Sequence, residues 1–238
     1  MARSRASATA RNRLVHIACI DKTRLGIGVP LGKLTAALQK CYDKHFLPVW
    51  GFPVKLYVTR RAKPTDWQFV YFDDAKEATT LGFHDITRHG QPITKVFVQT
   101  SLKDGDPVSV TASHELFEMA MDPVANLWAQ AKNGMEYAYE VCDPVEEDRF
   151  ECGGFPMCSF VYPAWFEPFK HPKGTKFDHL GKLYKPFIVT KNGYVVEKRG
   201  SRMKYVFGAL SKAARFAQED RRCRRVSYRR DELTKAKL

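Results

Sequence analysis

The stretch Ser113-His114-Glu115-Leu116-Phe117-Glu118-Met119-Ala120-Met121-Asp122-Pro123 reads as a helix with one polar stripe and a defined stop. Upstream, Asp106-Pro107 offers an N-cap followed by proline at the first helical position, where its missing N–H costs nothing. Pro123 sets the stop, because the residue before a proline is pushed out of the α region. Val110, Leu116, Phe117, Ala120 and Met121 supply enough apolar surface to bury most of the helix. His114 and Glu118 are four apart and stand on one face, with Glu115 about 100° round the axis. This is the arrangement of an H-E-x-x-H metal helix with glutamate in place of the second histidine. A hydrogen-bonded His/Glu pair on a helix surface has the same spacing, so the helix alone leaves both readings open.

The surrounding chain has 238 residues, 44% hydrophobic and 13% aromatic, which is ample for one sizeable core or two small ones. It contains no run of 18 apolar residues, so no membrane span is expected. Residues 1–13 are basic and small but lack the apolar region of a signal peptide, which predicts a cytoplasmic or virion-associated protein. Six cysteines are scattered without a C-x-x-C pair. The spacing of Cys152 and Cys158 permits a disulfide, although reduced, buried thiols are the expectation without an export signal.

Charge divides the chain. Residues 199–238 hold 13 Lys/Arg against 4 Asp/Glu, and residues 1–13 hold four arginines and no acid. These two ends account for the whole formal charge of +13. The division predicts a basic N-terminal arm (1–13), a neutral body (14–198) and a basic C-terminal helical arm (199–238). Such arms suit DNA or acidic protein subunits, and a solvated tail without a partner is the plainer alternative.

Along the body, residues 14–20, 54–58, 68–72 and 95–100 have strand character, and residues 31–45 repeat at helical spacing. His84 and His89 fall in a polar stretch read as surface loop, as do His171 and His179. The element order is then β-α-β-β-β-α, with the polar stripe on the second helix. Mixed strands followed by helices argue an α+β fold with helices packed on one face of a mixed sheet. Downstream, Glu140 and Asp143 stand three apart among apolar neighbours, where unpaired carboxylates are costly. Met157 to Tyr162 reads as a strand returning after Gly153-Gly154. A hairpin is expected about Asn192-Gly193, and Met203, Val206, Leu210, Ala214 and Ala217 fit an amphipathic helix.

The β-α-β-β-β-α order with a metal helix resembles the zincin metallopeptidase fold. More closely, His114-Glu115-x-x-Glu118, Asp122-Pro123-x-x-Asn126-x-Trp128 and Glu140-Val141-Cys142-Asp143 resemble the plant EXORDIUM (phosphate-induced) proteins and their uncharacterised bacterial and phage relatives. The likeness covers residues 95–168 and leaves out both basic ends. EXORDIUM proteins are secreted, so a bacterial or phage relative is the better match. The resemblance implies that His114 and Glu118 bind a divalent metal, with Glu140 or Asp143 completing the site. It implies Glu115 as general base, and for Asp122 either a ligand or orienting role or a simple turn. Zinc is the first expectation. Glutamate in place of histidine makes the ion less Lewis acidic and admits Mn²⁺ or Ca²⁺. Two functions follow as expectations: a metal-dependent hydrolase of peptide or amide bonds, or a structural phage virion protein with a relict metal site.

Overall fold

Five strands build the central sheet in the order β2-β1-β3-β5-β4: β1 (Val15–Asp21), β2 (Val54–Val58), β3 (Trp67–Phe72), β4 (Gly82–Ile86) and β5 (Pro92–Phe97). The structure is a computed structural model and describes residues 14–74 and 81–209. Neighbours run parallel from β2 to β5, and only β4 is antiparallel, at the edge. The sheet is mixed and the fold is α+β, as expected. Central β1 is buried on both faces, which explains why its sequence reads as an apolar run without alternation. Ile17, Cys19, Leu56, Phe69, Tyr71 and Val96 face a large core shared with two helices, while Ala18, Ile20 and Val70 form a small cluster on the other side.

Those helices are α1 (Leu31–Cys41) and α4 (Val108–Met121), with two short ones between them, α2 (Leu47–Trp50) and α3 (Val98–Lys103). After Cys41 the helix widens into a π-helical stretch, Tyr42–Phe46. It carries Phe46 into an aromatic stack on Phe117 of α4, with ring centroids 4.5 Å apart. Phe160 packs edge-on against both rings. All but two residues of α4 are buried, Met121 and His114 being the exceptions. It lies against β4 and β5 on one side and against β9 (Phe155–Cys158) on the other.

Several expectations need correction. Residues 82–86 are strand, with Gly82 and His84 pointing inward, so His84 is a core residue and not a loop histidine. Residues 98–100 leave the sheet and open α3, where the Ser101 hydroxyl donates to Phe97 O at 2.9 Å; tertiary context overrides the strand propensity of Val98. The N-cap of α4 is Pro107, and Asp106 instead pairs with Arg149. His89 sits exposed in the β4–β5 turn, as expected, whereas His171 and His179 are half-buried against aromatic rings.

Three small strand pairs follow α4. β6 (Trp128–Gln130) and β7 (Glu136–Ala138) close around Asn133-Gly134. β8 (Arg149–Cys152) pairs with β9 around Gly153-Gly154. That register sets Cys152 opposite Phe155 and Cys158 opposite Arg149, at opposite ends of the hairpin, and all five described cysteines are free thiols. The last hairpin joins β10 (Tyr194–Arg199) to β11 (Arg202–Phe207) through Gly200-Ser201, not through Asn192-Gly193. Gly200 takes the positive φ of 58° that so tight a turn requires. Residues 202–207 are therefore strand and not helix, and the body continues past residue 198. The expected arms at residues 1–13 and from 210 onward lie outside the described residues.

Candidate metal centre

Three elements converge on the polar stripe of α4. The helix brings His114, Glu115 and Glu118; β4 brings His84; the segment after β7 brings Glu140 and Asp143. His114 Nε2 lies 3.2 Å from Glu118 Oε2 and 3.4 Å from Asp143 Oδ1. His84 Nδ1 lies 3.5 Å from Glu115 Oε2 and 3.9 Å from Glu118 Oε2, and its Nε2 lies 3.8 Å from Glu140 Oε2. The groups His114/Glu118/Asp143 and His84/Glu115/Glu118 are both positioned to hold a metal ion.

Of the expected ligands, His114, Glu118 and Asp143 are brought together. Glu140 is turned to the far nitrogen of His84, so between Glu140 and Asp143 it is Asp143 that faces His114. Asp122 is a turn residue: its carboxylate oxygens accept the Asn126 and Leu127 N–H groups at 3.0 and 2.9 Å. His84 is the residue that sequence reasoning missed. Its signal is the alternation Gly82-Phe83-His84-Asp85-Ile86 ahead of the Thr87–Gly90 turn, obscured because the inward position carries a polar side chain.

Backbone contacts hold the pieces in place. Glu118 Oε1 accepts the Cys142 N–H at 3.3 Å, which anchors the segment bearing Asp143 to α4. Ser113 Oγ accepts the Cys158 N–H at 2.8 Å and fixes β9 beside the same helix. Asp143 begins a 3-10 turn, Asp143–Val145, whose Pro144 carbonyl accepts the Thr190 N–H at 2.9 Å. Gly193 presses on that turn so closely that a Cβ there would lie 2.1 Å from Pro144 O. On the other side Gly82 lies under Glu115, where an added Cβ would come within 2.9 Å of Glu115 Cγ.

The electrostatics follow from buried carboxylates facing one imidazole. Burial opposes the charged form of His114, but attraction to Glu118 and hydrogen bonds to Asp143 and Cys158 outweigh it and hold its pKa well above the usual value. Burial and the neighbouring Glu118 push Asp143 up to about 6. Behind the ring, Cys158 Sγ lies 3.7 Å from His114 Nδ1 and close to Cys142, and these two thiols with His114 form a third, sulfur-rich group. The hydrogen bond from Cys142 lowers Cys158 to about 7 against the effect of burial. Nδ1 of His114 is thus engaged by sulfur, leaving Nε2 for the carboxylate side. The His114 side chain is 14% exposed, whereas Glu115, Glu118 and Asp143 are each under 10%, so solvent reaches the cluster past His114. A surface groove between α1 and β2, lined by Lys40, Lys44 and Lys55 among others, shares no residue with it.

The donor set fits a divalent cation. Ligand atoms about 2.1 Å from a tetrahedral ion are separated by about 3.4 Å, close to the His114 spacings above. Compared with known protein families, curated proteins and solved structures, the chain matches none.

Proposed function

We propose that the protein is a zincin-like, cation-dependent hydrolase of peptide or amide bonds, with His114, Glu118 and Asp143 holding the ion and Glu115 as the base. The observation that carries this reading is the convergence of two buried carboxylates, from α4 and from a separate turn, on Nε2 of a solvent-reachable histidine. The mixed sheet under an H-E-x-x-E helix supports it. Zinc is the expected ion, and the oxygen-rich set also admits Mn²⁺ or Ca²⁺. A divalent cation there supplies Lewis acidity toward a carbonyl oxygen and a water.

The chain's own residues do the rest. Cys158 keeps His114 oriented with Nε2 toward the carboxylates. Glu118 and Asp143 supply anionic oxygen, which moderates the ion's acidity. Glu115, beside Glu118 but outside the His114 set, accepts a proton from the attacking water and returns it to the leaving amine. The test is elemental analysis of chain purified without chelator, together with hydrolysis of a fluorogenic peptide panel before and after chelation. We expect stoichiometric ion, chelator-sensitive turnover, and a Glu115→Gln variant that keeps the ion at His114 but loses turnover. Absence of stoichiometric ion overturns the reading.

The charge of the two ends favours a second reading, a structural virion component whose basic segments contact DNA or acidic subunits. A stoichiometric ion with no turnover on any substrate, together with copurification in a particle, supports that alternative.

A further inference from the structure

His84 lies outside the His114 ligand set, and its surroundings are unlike those of an ordinary core imidazole. Its side chain is 0% exposed. Neither ring nitrogen makes a hydrogen bond, and neither does the buried Glu115 Oε2 facing it. A buried polar atom without a hydrogen bond carries its desolvation cost uncompensated, so three such atoms in one place point to a partner that binds them.

The spacing identifies the kind of partner. A protonated imidazole donating to a carboxylate closes to about 2.7–2.9 Å. A water hydrogen-bonded to both groups would hold them about 4.5 Å apart. The observed 3.5 Å to Glu115 and 3.9 Å to Glu118 fall between these values, near the separation of two ligands on one cation. Glu118 Oε2 is also the atom that faces His114 Nε2 at 3.2 Å.

We propose that the protein binds a second divalent cation between His84 Nδ1, Glu115 Oε2 and Glu118 Oε2, with Glu118 bridging it to the ion held by His114 and Asp143. The centre is then dinuclear, with Glu115 binding through Oε2 and keeping its other oxygen for the proton it takes from water. One imidazole and two carboxylates suit Zn²⁺ or Mn²⁺. The four carboxylates of the cluster, Glu115, Glu118, Glu140 and Asp143, carry the charge that two divalent cations balance with both imidazoles neutral. Glu140, 3.8 Å from His84 Nε2, receives the other side of the ring and orients it. The proposal rests on the His114 site being a metal site, and the experiment separates the two.

Full-length protein, stripped with chelator and reloaded with Zn²⁺, is assayed for bound ion after gel filtration. Wild type is expected to hold two ions per chain, and His84→Gln and Glu115→Gln one each. Mn²⁺-loaded wild type is expected to show a spin-coupled electron paramagnetic resonance signal, which His84→Gln converts to that of an isolated ion. Saturation of both wild type and His84→Gln at one ion overturns the second site and leaves the His114 site standing. Binding of one ion by wild type and none by His84→Gln overturns the bridged pair and moves the single site to His84. No bound ion in wild type overturns both. Should His84→Gln fail to fold, an uncoupled signal from wild type at saturating Mn²⁺ is by itself enough to reject the proposal.

Discussion

A cation bound by Asp143 and His114 would compete with protons for them. Both pKa values are raised in the folded chain, Asp143 to about 6 and His114 well above its usual value. A raised folded pKa contributes stability that is present at low pH and lost as pH rises through the folded value. The ion-free protein is therefore penalised above about pH 6, where Asp143 ionises beside Glu118, while a cation binds more tightly there because Asp143 has shed its proton. The gap in melting temperature between cation-loaded and chelated protein should widen from pH 5 to pH 7.5. With cation at about 100 times its Kd it should reach about 5–10 °C. A gap independent of pH would show that neither residue binds the ion. At this scale the sequence was legible where spacing on one helix makes the pattern: His114, Glu115 and Glu118 lie within five residues. Choosing between Glu140 and Asp143 was not, because that depends on how the Cys142 N–H docks on Glu118 Oε1. Nor was His84, since a polar residue at the inward position of a short edge strand looks like loop.

Among the elements, the 3-10 turn Asp143–Val145 is the piece whose position matters most, and it is held from outside by β10. Gly193, just before β10, has no room for a side chain: its Cβ would meet Pro144 O at 2.1 Å and Pro144 C at 2.5 Å, both backbone atoms that cannot swing aside. Gly193→Ala should destabilise the fold by about 2–3 kcal/mol, read as a loss of about 5–10 °C in thermal denaturation, and should weaken cation binding by displacing Asp143. Gly200→Ala is the control. It strains a residue at φ 58° in the β10–β11 turn, but its Cβ meets nothing within 4 Å, so it should cost stability without changing cation affinity. Equal effects on affinity would mean that β10 does not position Asp143. The same hairpin shows the limit of periodicity. Met203 and Val206 are three apart and fit a helix, yet Gly200-Ser201 closes a two-residue turn and β10 offers a partner strand, so residues 202–207 extend the sheet. Non-local pairing decided what local spacing left ambiguous.

For the whole molecule, the charge arithmetic separates a neutral stretch from two basic ends, and among the described residues no helix is long and apolar enough to cross a membrane. If the ends contact a polyanion, full-length protein should bind double-stranded DNA at low salt, with affinity falling steeply as salt rises. Replacing Arg221, Arg222, Arg224 and Arg225 by Gln should flatten that salt dependence by about four charges' worth of counterion release. Unchanged binding in a filter or fluorescence-anisotropy assay would exclude this segment as the contact. The α+β class and the mixed sheet beside α4 were readable from strand and helix patterns alone. The antiparallel edge β4 and the three small hairpins were not, because each is too short to carry a strong period of its own.

The point where residue 209 leaves the body is not remote from the cluster. Ala209 N–H is bound by the Lys191 carbonyl, and Gly208 N–H by Gly193 O at 2.9 Å, while Thr190 N–H is held by the Pro144 carbonyl next to Asp143. The described chain therefore ends, at residue 209, within a few hydrogen bonds of the Asp143 turn. If the arginines beyond it capture a polyanion, the stretch of chain between them and residue 209 sets how often that polyanion meets the Asp143 turn. The chain leading to the basic end thus departs from the fold beside the buried Asp143, although the two are far apart in sequence.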